Sequence, residues 1–441
     1  MTYYESEKMN FNTNFSELGL DPALVKILTD GGYETATAVQ AQTIPAALEG
    51  RDLLVSSQTG SGKTAAFLLP ALQRLTPNPA PERGRGAKNR FAPAQPKLLV
   101  LAPTRELALQ VMGAAEKYGT RTRGLKAVAI LGGMPYPKQM QLLSQNPEIL
   151  VATPGRLIDH MNSGKIDFSR LEILVLDEAD RMLDMGFIED IDKIVAATPT
   201  ARQTLLFSAT LDGLVGKVAQ RITRQATMIN VASTAAAKAK IEQRLHRVDD
   251  PAHKNRLLDF LLRDLSIDQA LVFTATKRDA DRLAGELSLA GFAAAALHGD
   301  MHQGARNRTL NALRTGHVRV LVATDVAARG IDVPTISHVF NYDLPHSPED
   351  YVHRIGRTGR AGRAGLAVSL VGHGESFALK NIERYTKQSI SVNVVPGYEA
   401  KKSAVVTHTK PYGARPGYRG APRTESRFGK PAAKRERFAS R

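Results

Sequence analysis

The chain of 441 residues has no cysteine. That excludes disulfides, thiolate metal centres and cysteine nucleophiles, and it fits a reducing, cytosolic setting. No apolar run approaches the ~18 residues that a membrane-spanning helix needs. Met1 to Phe15 carries Glu5, Glu7 and Lys8, and it lacks both the basic start and the apolar middle of a signal peptide. The expectation is a cytoplasmic protein with no membrane partner. Hydrophobic residues make up 43% of the chain, ordinary for a globular protein, so burying a core poses no difficulty. The length suggests two or three domains.

Negative charge is also scarce. Asp and Glu number 43 against 59 Lys and Arg, a net charge of +16. From Pro396 to Arg441, 12 Lys or Arg face 3 Glu, so +9 falls in the last 46 residues and +7 in the other 395. A basic tail on a mildly basic body points to a polyanion such as nucleic acid; a solvated tail without a specific role is the alternative. The tail mixes Arg, Gly and Pro with Tyr412, Tyr418, Phe428 and Phe438. Such a composition cannot bury enough apolar surface to fold.

Between Asp52 and Val231, short apolar runs alternate with helical patterns. Strands are expected at Asp52–Ser56, Lys97–Ala102, Glu148–Ala152, Leu171–Leu176 and Gln203–Phe207, with helices at Lys63–Leu75 and Arg105–Tyr118. Continuous Val, Leu and Ile runs are the mark of parallel strands covered on both faces, and strand–helix alternation implies a doubly wound α/β sheet. The pattern stops at Ser233–Lys240, which reads as a linker, and restarts with strands at Leu271–Phe273, Ala293–Leu297, Val318–Ala323, Ser337–Asn341 and Leu366–Val371. The chain therefore divides into an extension (1–12), a first α/β domain (13–231), a linker (232–240), a second α/β domain (241–396) and a disordered basic tail (397–441). Pro77–Pro96, rich in Pro, Gly and basic residues, reads as a mobile loop.

Ser57-Gln58-Thr59-Gly60-Ser61-Gly62-Lys63-Thr64 lies between a strand and a helix. Glycines let the backbone N–H groups converge on one concavity, and the helix adds its free N–H groups and positive dipole end, a combination suited to phosphate. Lys63 would reach the β- and γ-phosphates of a nucleotide and Thr64 would ligate Mg²⁺. Ser57 stands where the generic P-loop pattern has Gly. Asp177-Glu178-Ala179-Asp180 ends an apolar strand, and the carboxyl ends of parallel strands face the ligand crevice. Asp177 would sit near Mg²⁺, partly through water, and Glu178 could polarise an attacking water; an acidic helix N-cap is the bland alternative. In the second domain, Tyr351 to Arg360 places His353, Arg354, Arg357 and Arg360 within eight residues. Arginines donated from another domain can stabilise charge on a transferred phosphoryl group.

These motifs together resemble the DEAD-box family of ATP-dependent RNA helicases. The likeness runs from about Phe15 to Pro396. It also takes in Pro103-Thr104-Arg105-Glu106-Leu107-Ala108, Gly132-Gly133, Thr153-Pro154-Gly155-Arg156, Ser208-Ala209-Thr210, Phe273, His298-Gly299-Asp300 with Gln303 and Arg306, and Ala323-Thr324-Asp325 leading to Arg329-Gly330-Ile331-Asp332. The tail and the run Asp177 to Phe187 are similar to the bacterial RhlE-type subgroup.

The resemblance implies two tandem RecA-like domains, the cofactors ATP and Mg²⁺, and RNA as partner; ribosomal or mRNA-decay proteins are further partners the family allows. It implies that segment 13–41 reads adenine, with Gln40 on its edge and Phe15 on its ring. Ala36 and Ala38 stand where prolines are common, and Ser57 where Ala is usual. Ser57 to Thr64 and Asp177 would hold the nucleotide, Asp332 its ribose, and Arg357 and Arg360 its γ-phosphate. Lys63, Glu178, Arg357 and Arg360 would be catalytic. Asp180, Ser208, Thr210 and His353 would couple hydrolysis to strand separation. Thr104, Arg105, Gly133, Thr153, Arg156, Gly299, Arg306 and Thr324 would grip the RNA backbone, which positions a strand without reading its sequence. The implied activity is RNA-stimulated ATP hydrolysis that locally unwinds short duplexes. A translocating motor and an ATP-gated RNA clamp or assembly platform are the rivals.

Overall fold

Short runs, most of them apolar, become strands, and parallel pairing gathers them into two sheets. The computed structural model describes residues 13–57, 60–75, 92–119, 125–211, 213–231, 241–328, 331, 333, 335–359 and 363–401. The extension, the linker and the tail beyond Lys401 lie outside these residues, as does most of the Pro/Gly-rich loop.

The first sheet holds β1 (Leu53–Ser56), β2 (Leu98–Leu101), β3 (Ala127–Ile130), β4 (Ile149–Ala152), β5 (Ile173–Leu176), β6 (Gln203–Ser208) and β7 (Thr227–Asn230), in the order β3-β4-β2-β5-β6-β1-β7. The second holds β8 (Ile241–Arg247), β9 (Gln269–Phe273), β10 (Ala294–Leu297), β11 (Val320–Ala323), β12 (Ile336–Asn341), β13 (Gly365–Val371) and β14 (Ser391–Val392), in the order β10-β11-β9-β12-β13-β8-β14. Every pairing in both sheets is parallel. Strand for strand, the second order repeats the first. The doubly wound α/β expectation holds in both halves, although no residue-level repeat links them.

Both faces of the first sheet are covered. Leu53, Val55, Ile173 and Val175 face one core, and Leu54, Leu174 and Leu176 face the other. In the second sheet Ala270 and Val272 divide in the same way from Leu271 and Phe273. This two-sided burial is why the strands read as unbroken apolar runs.

Four strands fall outside the expected set: β3, β7, β8 and β14. Three of them are edge strands, where one side is less covered. The fourth, β8, is a polar run whose only buried residues are Leu245 and His246, so hydropathy hides it. The helices that position the site are α1 (Ala38–Leu48), α2 (Lys63–Leu75), α3 (Arg105–Gly119), α4 (Pro154–Asn162), α5 (Ala179–Asp184), α6 (Gln303–Arg314) and α7 (Pro348–Ile355). The two sheets belong to one compact unit that runs through Lys402.

Candidate active site

Strand order assembles the candidate phosphate site. β6 lies between β1 and β5, with Ser56 level with Ser208 and Leu176 level with Leu206. The loop after β1, the Ser208-Ala209-Thr210 turn and Asp177 therefore emerge side by side at the carboxyl ends of three neighbouring strands. The Ser57 N–H donates to the Ser208 carbonyl at 3.0 Å, and the Ser56 hydroxyl donates to the Ala209 carbonyl at 3.2 Å.

Gly62 has φ +95°, and a Cβ there would lie 2.5 Å from the Gln40 amide nitrogen, so glycine is required both for conformation and for space. Lys63 opens α2, is buried, and donates from Nζ to the Ser57 carbonyl at 3.2 Å. The Ser61 hydroxyl donates to the Ser57 hydroxyl at 3.3 Å, so the serine that replaces the family's usual alanine ties the loop to itself. Gly60 and Thr64 flank this turn; Gln58 and Thr59 lie outside the described residues.

Asp177 ends β5 and is 2% exposed. Burial pushes its carboxyl up to about 6, against the opposing pull of the nearby Lys63 ammonium. Its Oδ1 and the Glu178 Oε2 are buried without a hydrogen-bond partner. Oxygens of this kind are the hard donors that Mg²⁺ takes, and Mg²⁺ is usually held by only one or two protein carboxylates. Among the described residues no three His, Asp or Glu side chains converge on a metal. Glu178 occupies the left-handed region at φ +53°, ψ +53°, an uncommon conformation for a non-glycine residue and one that recurs at functional sites.

Asp180 meets the Ser208–Thr210 turn through backbone. Its carboxylate accepts from the Ala209 N–H at 3.1 Å, while the Ser208 hydroxyl accepts from the Thr210 N–H at 3.3 Å. Gln40 belongs to a reciprocal cap of α1. Its Oε1 accepts from the Thr37 N–H at 2.9 Å, its own N–H donates to the Thr37 hydroxyl at 3.4 Å, and its Nε2 donates to the Gly62 carbonyl at 3.1 Å. The side chain thus ties α1 to the phosphate loop and keeps one further amide hydrogen and one further lone pair for an adenine edge. Phe15 is 3% exposed and packs in the first core cluster.

The second domain contributes α7. Arg354 anchors it, donating to both Asp325 oxygens at 2.6 and 2.8 Å and stacking over Phe273 at 4.8 Å. Arg357, two residues past the helix, is buried and donates to the Ile331 carbonyl at 2.9 Å. His353 is held well below its ordinary value, at about 2, chiefly by burial and then by the positive charges of Arg181 and Arg357, with a smaller push from Lys63. One side chain of the second domain therefore feels both the helix after Asp180 and the lysine of the phosphate loop. Asp332 and Arg360 lie outside the described residues.

The residues expected on RNA divide into two groups. Thr104, Thr153 and Arg156 organise loop ends: the Thr104 hydroxyl accepts from the Leu107 N–H at 3.3 Å, the Thr153 hydroxyl from the Gly132 N–H at 3.3 Å, and Arg156 donates to the Met134 carbonyl at 2.9 Å. Gly299 is exposed, Thr324 half-buried, and Gly133 lies against the Arg105 guanidinium. The other two, Arg105 and Arg306, bond across the domains. Arg306 on α6 is buried and forks onto Glu106 of α3 at 2.5 and 3.0 Å, and Arg105 donates to Gln303 at 2.5 Å. In this structure both join the two domains. Burial lowers the Arg105 guanidinium, Glu106 opposes that, and the nearby Arg306 and Arg156 add to it. A further cross-domain pair, Arg181 with Asp350, was not singled out by the sequence motifs. The two lie 169 positions apart, and no local pattern links them.

Known proteins resemble this chain over most of its length. A family profile described as DEAD/DEAH box helicase matches residues 37–217, and one described as helicase conserved C-terminal domain matches residues 252–362. The chain is 44% identical over 393 residues to the ATP-dependent RNA helicase SrmB of Escherichia coli strain K12, covering 89% of this chain and 86% of that protein. It is 44% identical over 389 residues to the ATP-dependent RNA helicase DeaD of the same strain, covering 88% of this chain and 60% of DeaD. Among solved structures, S. cerevisiae Dbp5 bound to RNA and ADP BeF3 superposes with a TM-score of 0.74 at 33% identity, covering 86% of this chain and 95% of that one. Mss116p bound to ssRNA and AMP-PNP gives 0.78 at 27% identity, covering 90% and 82%. With two matching domain profiles and long relatives well above the threshold of chance, the chain belongs to the DEAD-box family of ATP-dependent RNA helicases.

Proposed function

We propose that the protein hydrolyses ATP when RNA draws its two domains together, and that closure separates the strands of short RNA duplexes. The observation that carries this reading is the cavity in which Arg181 of the first domain lines one wall and His353 and Arg357 of the second line another, with Lys63 close enough to act on His353. A phosphate site whose cations come from two domains is complete only when they meet.

In this reading Lys63 and the N–H groups of Gly60 to Thr64 hold the β- and γ-phosphates, while Gln40 and Phe15 take the adenine and Asp332 the ribose. Thr64 and Asp177 would hold Mg²⁺, which when bound offsets charge on the phosphates. Glu178 accepts the proton of the attacking water as the γ-phosphorus–oxygen bond breaks. Arg357 and Arg360 stabilise the charge that develops on the transferred group. Asp180, Ser208, Thr210 and His353 transmit the state of the phosphate site to the RNA face. Thr104, Gly133, Thr153, Arg156, Gly299 and Thr324 meet the RNA backbone there, and Arg105 and Arg306 brace the closed cleft beside them.

The test measures ATP turnover with and without RNA, and strand displacement across a series of duplex lengths. Stimulation by RNA, with unwinding that fades beyond about a helical turn, is expected. Turnover indifferent to RNA would sink the proposal, and unwinding that persists on long duplexes would favour a translocating motor.

A further inference from the structure

We propose that Arg181 and Asp350 form a closure latch, a pair of positioning residues that sets α7, and with it Arg357, against the phosphate site. The inference rests on the reading of Lys63 and Arg357 as two halves of one ATP site.

Arg181 is three residues past Glu178, on the short helix α5 that continues directly from the phosphate-site strand β5. It is 3% exposed, and its Nη1 donates to Asp350 Oδ1 at 2.8 Å. Asp350 sits in the first turn of α7 and is held there by its own helix cap. Its Oδ2 accepts from the Ser347 hydroxyl at 3.0 Å, and its N–H donates back to the same hydroxyl at 3.1 Å. The carboxylate is therefore oriented by its own domain before the guanidinium reaches it.

The far side of α7 is equally fixed. Besides the Asp325 fork, Arg354 donates to the Asp343 carbonyl at 2.5 Å, so α7 moves as part of the second domain. Docking Asp350 on Arg181 consequently fixes where Arg357, seven residues on, comes to rest. Another cross-domain pair, Arg306 with Glu106, starts from α3 and α6, whose flanking loops carry the expected RNA contacts. The latch differs in joining the Asp177–Asp180 segment to the arginine-bearing helix. Removing Asp350 leaves the buried Arg181 guanidinium without that counter-ion in the closed state, and removing Arg181 leaves a half-buried carboxylate without it. In the open state water can solvate either group, so the penalty falls on closure.

The experiment uses the full chain with Arg181→Met, Asp350→Asn and the double variant. Each is measured for kcat and KM of ATP at saturating RNA, for affinity toward a non-hydrolysable ATP analogue without RNA, and for domain closure by energy transfer between dyes on the two domains. Each single variant should lose about 30-fold in RNA-stimulated kcat/KM, the scale of a truncated buried charge pair. Analogue affinity without RNA should be unchanged, and the closed fraction with analogue and RNA should fall. The double variant should be no worse than the singles, because the interaction can be lost only once. Additive losses, or full closure in the single variants, would overturn the latch. Wild-type turnover that ignores RNA would instead overturn the ATP-site reading on which it rests. A shared drop in thermal midpoint and analogue affinity would show a merely structural role and overturn the latch.

Discussion

Glu178 combines a strained backbone with an unpaired buried oxygen, φ +53° and Oε2 without a hydrogen bond. Both features cost stability and neither helps packing, which is the pattern of a residue shaped by chemistry. Glu178→Gln should keep ATP binding while slowing hydrolysis by ~10²-fold, the usual scale for a lost proton acceptor. Single-turnover hydrolysis beside analogue binding measures this, and near-normal turnover would remove Glu178 from its role. Gly133 poses a different residue-scale question. It has φ +72°, and a Cβ would collide with the Arg105 guanidinium. Gly133→Ala should destabilise the fold by ~1–3 kcal/mol. Gly132→Ala, with open space around it and no left-handed φ, should change little. Denaturant midpoints of the two variants decide the matter, and equal midpoints would contradict the steric reading.

At the scale of elements, α1 shows how a local signal acquires a distant duty. Thr37 followed three residues later by Gln40 is a capping box that the sequence displays openly. The same Gln40 amide also reaches the Gly62 carbonyl, 22 residues away. Gln40→Ala should therefore cost ~1 kcal/mol through the lost cap, and it should also weaken discrimination between ATP and GTP. Thermal unfolding and nucleotide competition check the two effects separately. A stability loss with unchanged nucleotide preference would confine Gln40 to capping. Elements also mark where pattern reading fails. The central strands β1, β2, β4, β5 and β6 stand out because both of their faces are buried. Polar β8 and the edge strands β3, β7 and β14 do not, because their pairing depends on neighbours rather than on their own hydropathy.

At the scale of the whole molecule, burial of histidine sets a pH dependence. His160, His246, His338 and His353 are all lowered, in each case chiefly by desolvation. The unfolded chain takes up these protons near pH 6.5 while the folded chain refuses them, so stability should fall as pH drops below 6.5. For His353, at about 2, the loss at pH 5 reaches about 2 kcal/mol. His353 also lies between the domains, so acid should favour the open cleft before global unfolding. Thermal midpoints from pH 7.5 to 5 should decline, and His353→Asn should flatten the slope. A flat wild-type profile would refute the assignment.

The α/β class, the central strands and the candidate phosphate site were legible in the sequence, because those features are written in contiguous residues: apolar runs, a glycine turn before a helix, and acids ending a strand. The likeness to an RhlE-type subgroup rested partly on the tail, outside the described residues, and goes no further here. That the two sheets share one strand order became visible only in the folded chain. Only the tertiary structure decided that Arg105 and Arg306 face Gln303 and Glu106, and that Arg181 meets Asp350. A guanidinium looks the same in sequence whether it will meet an RNA phosphate or a carboxylate of the other domain. Which it meets depends on how close folding brings residues some 170 to 200 positions apart, and no local pattern encodes that distance.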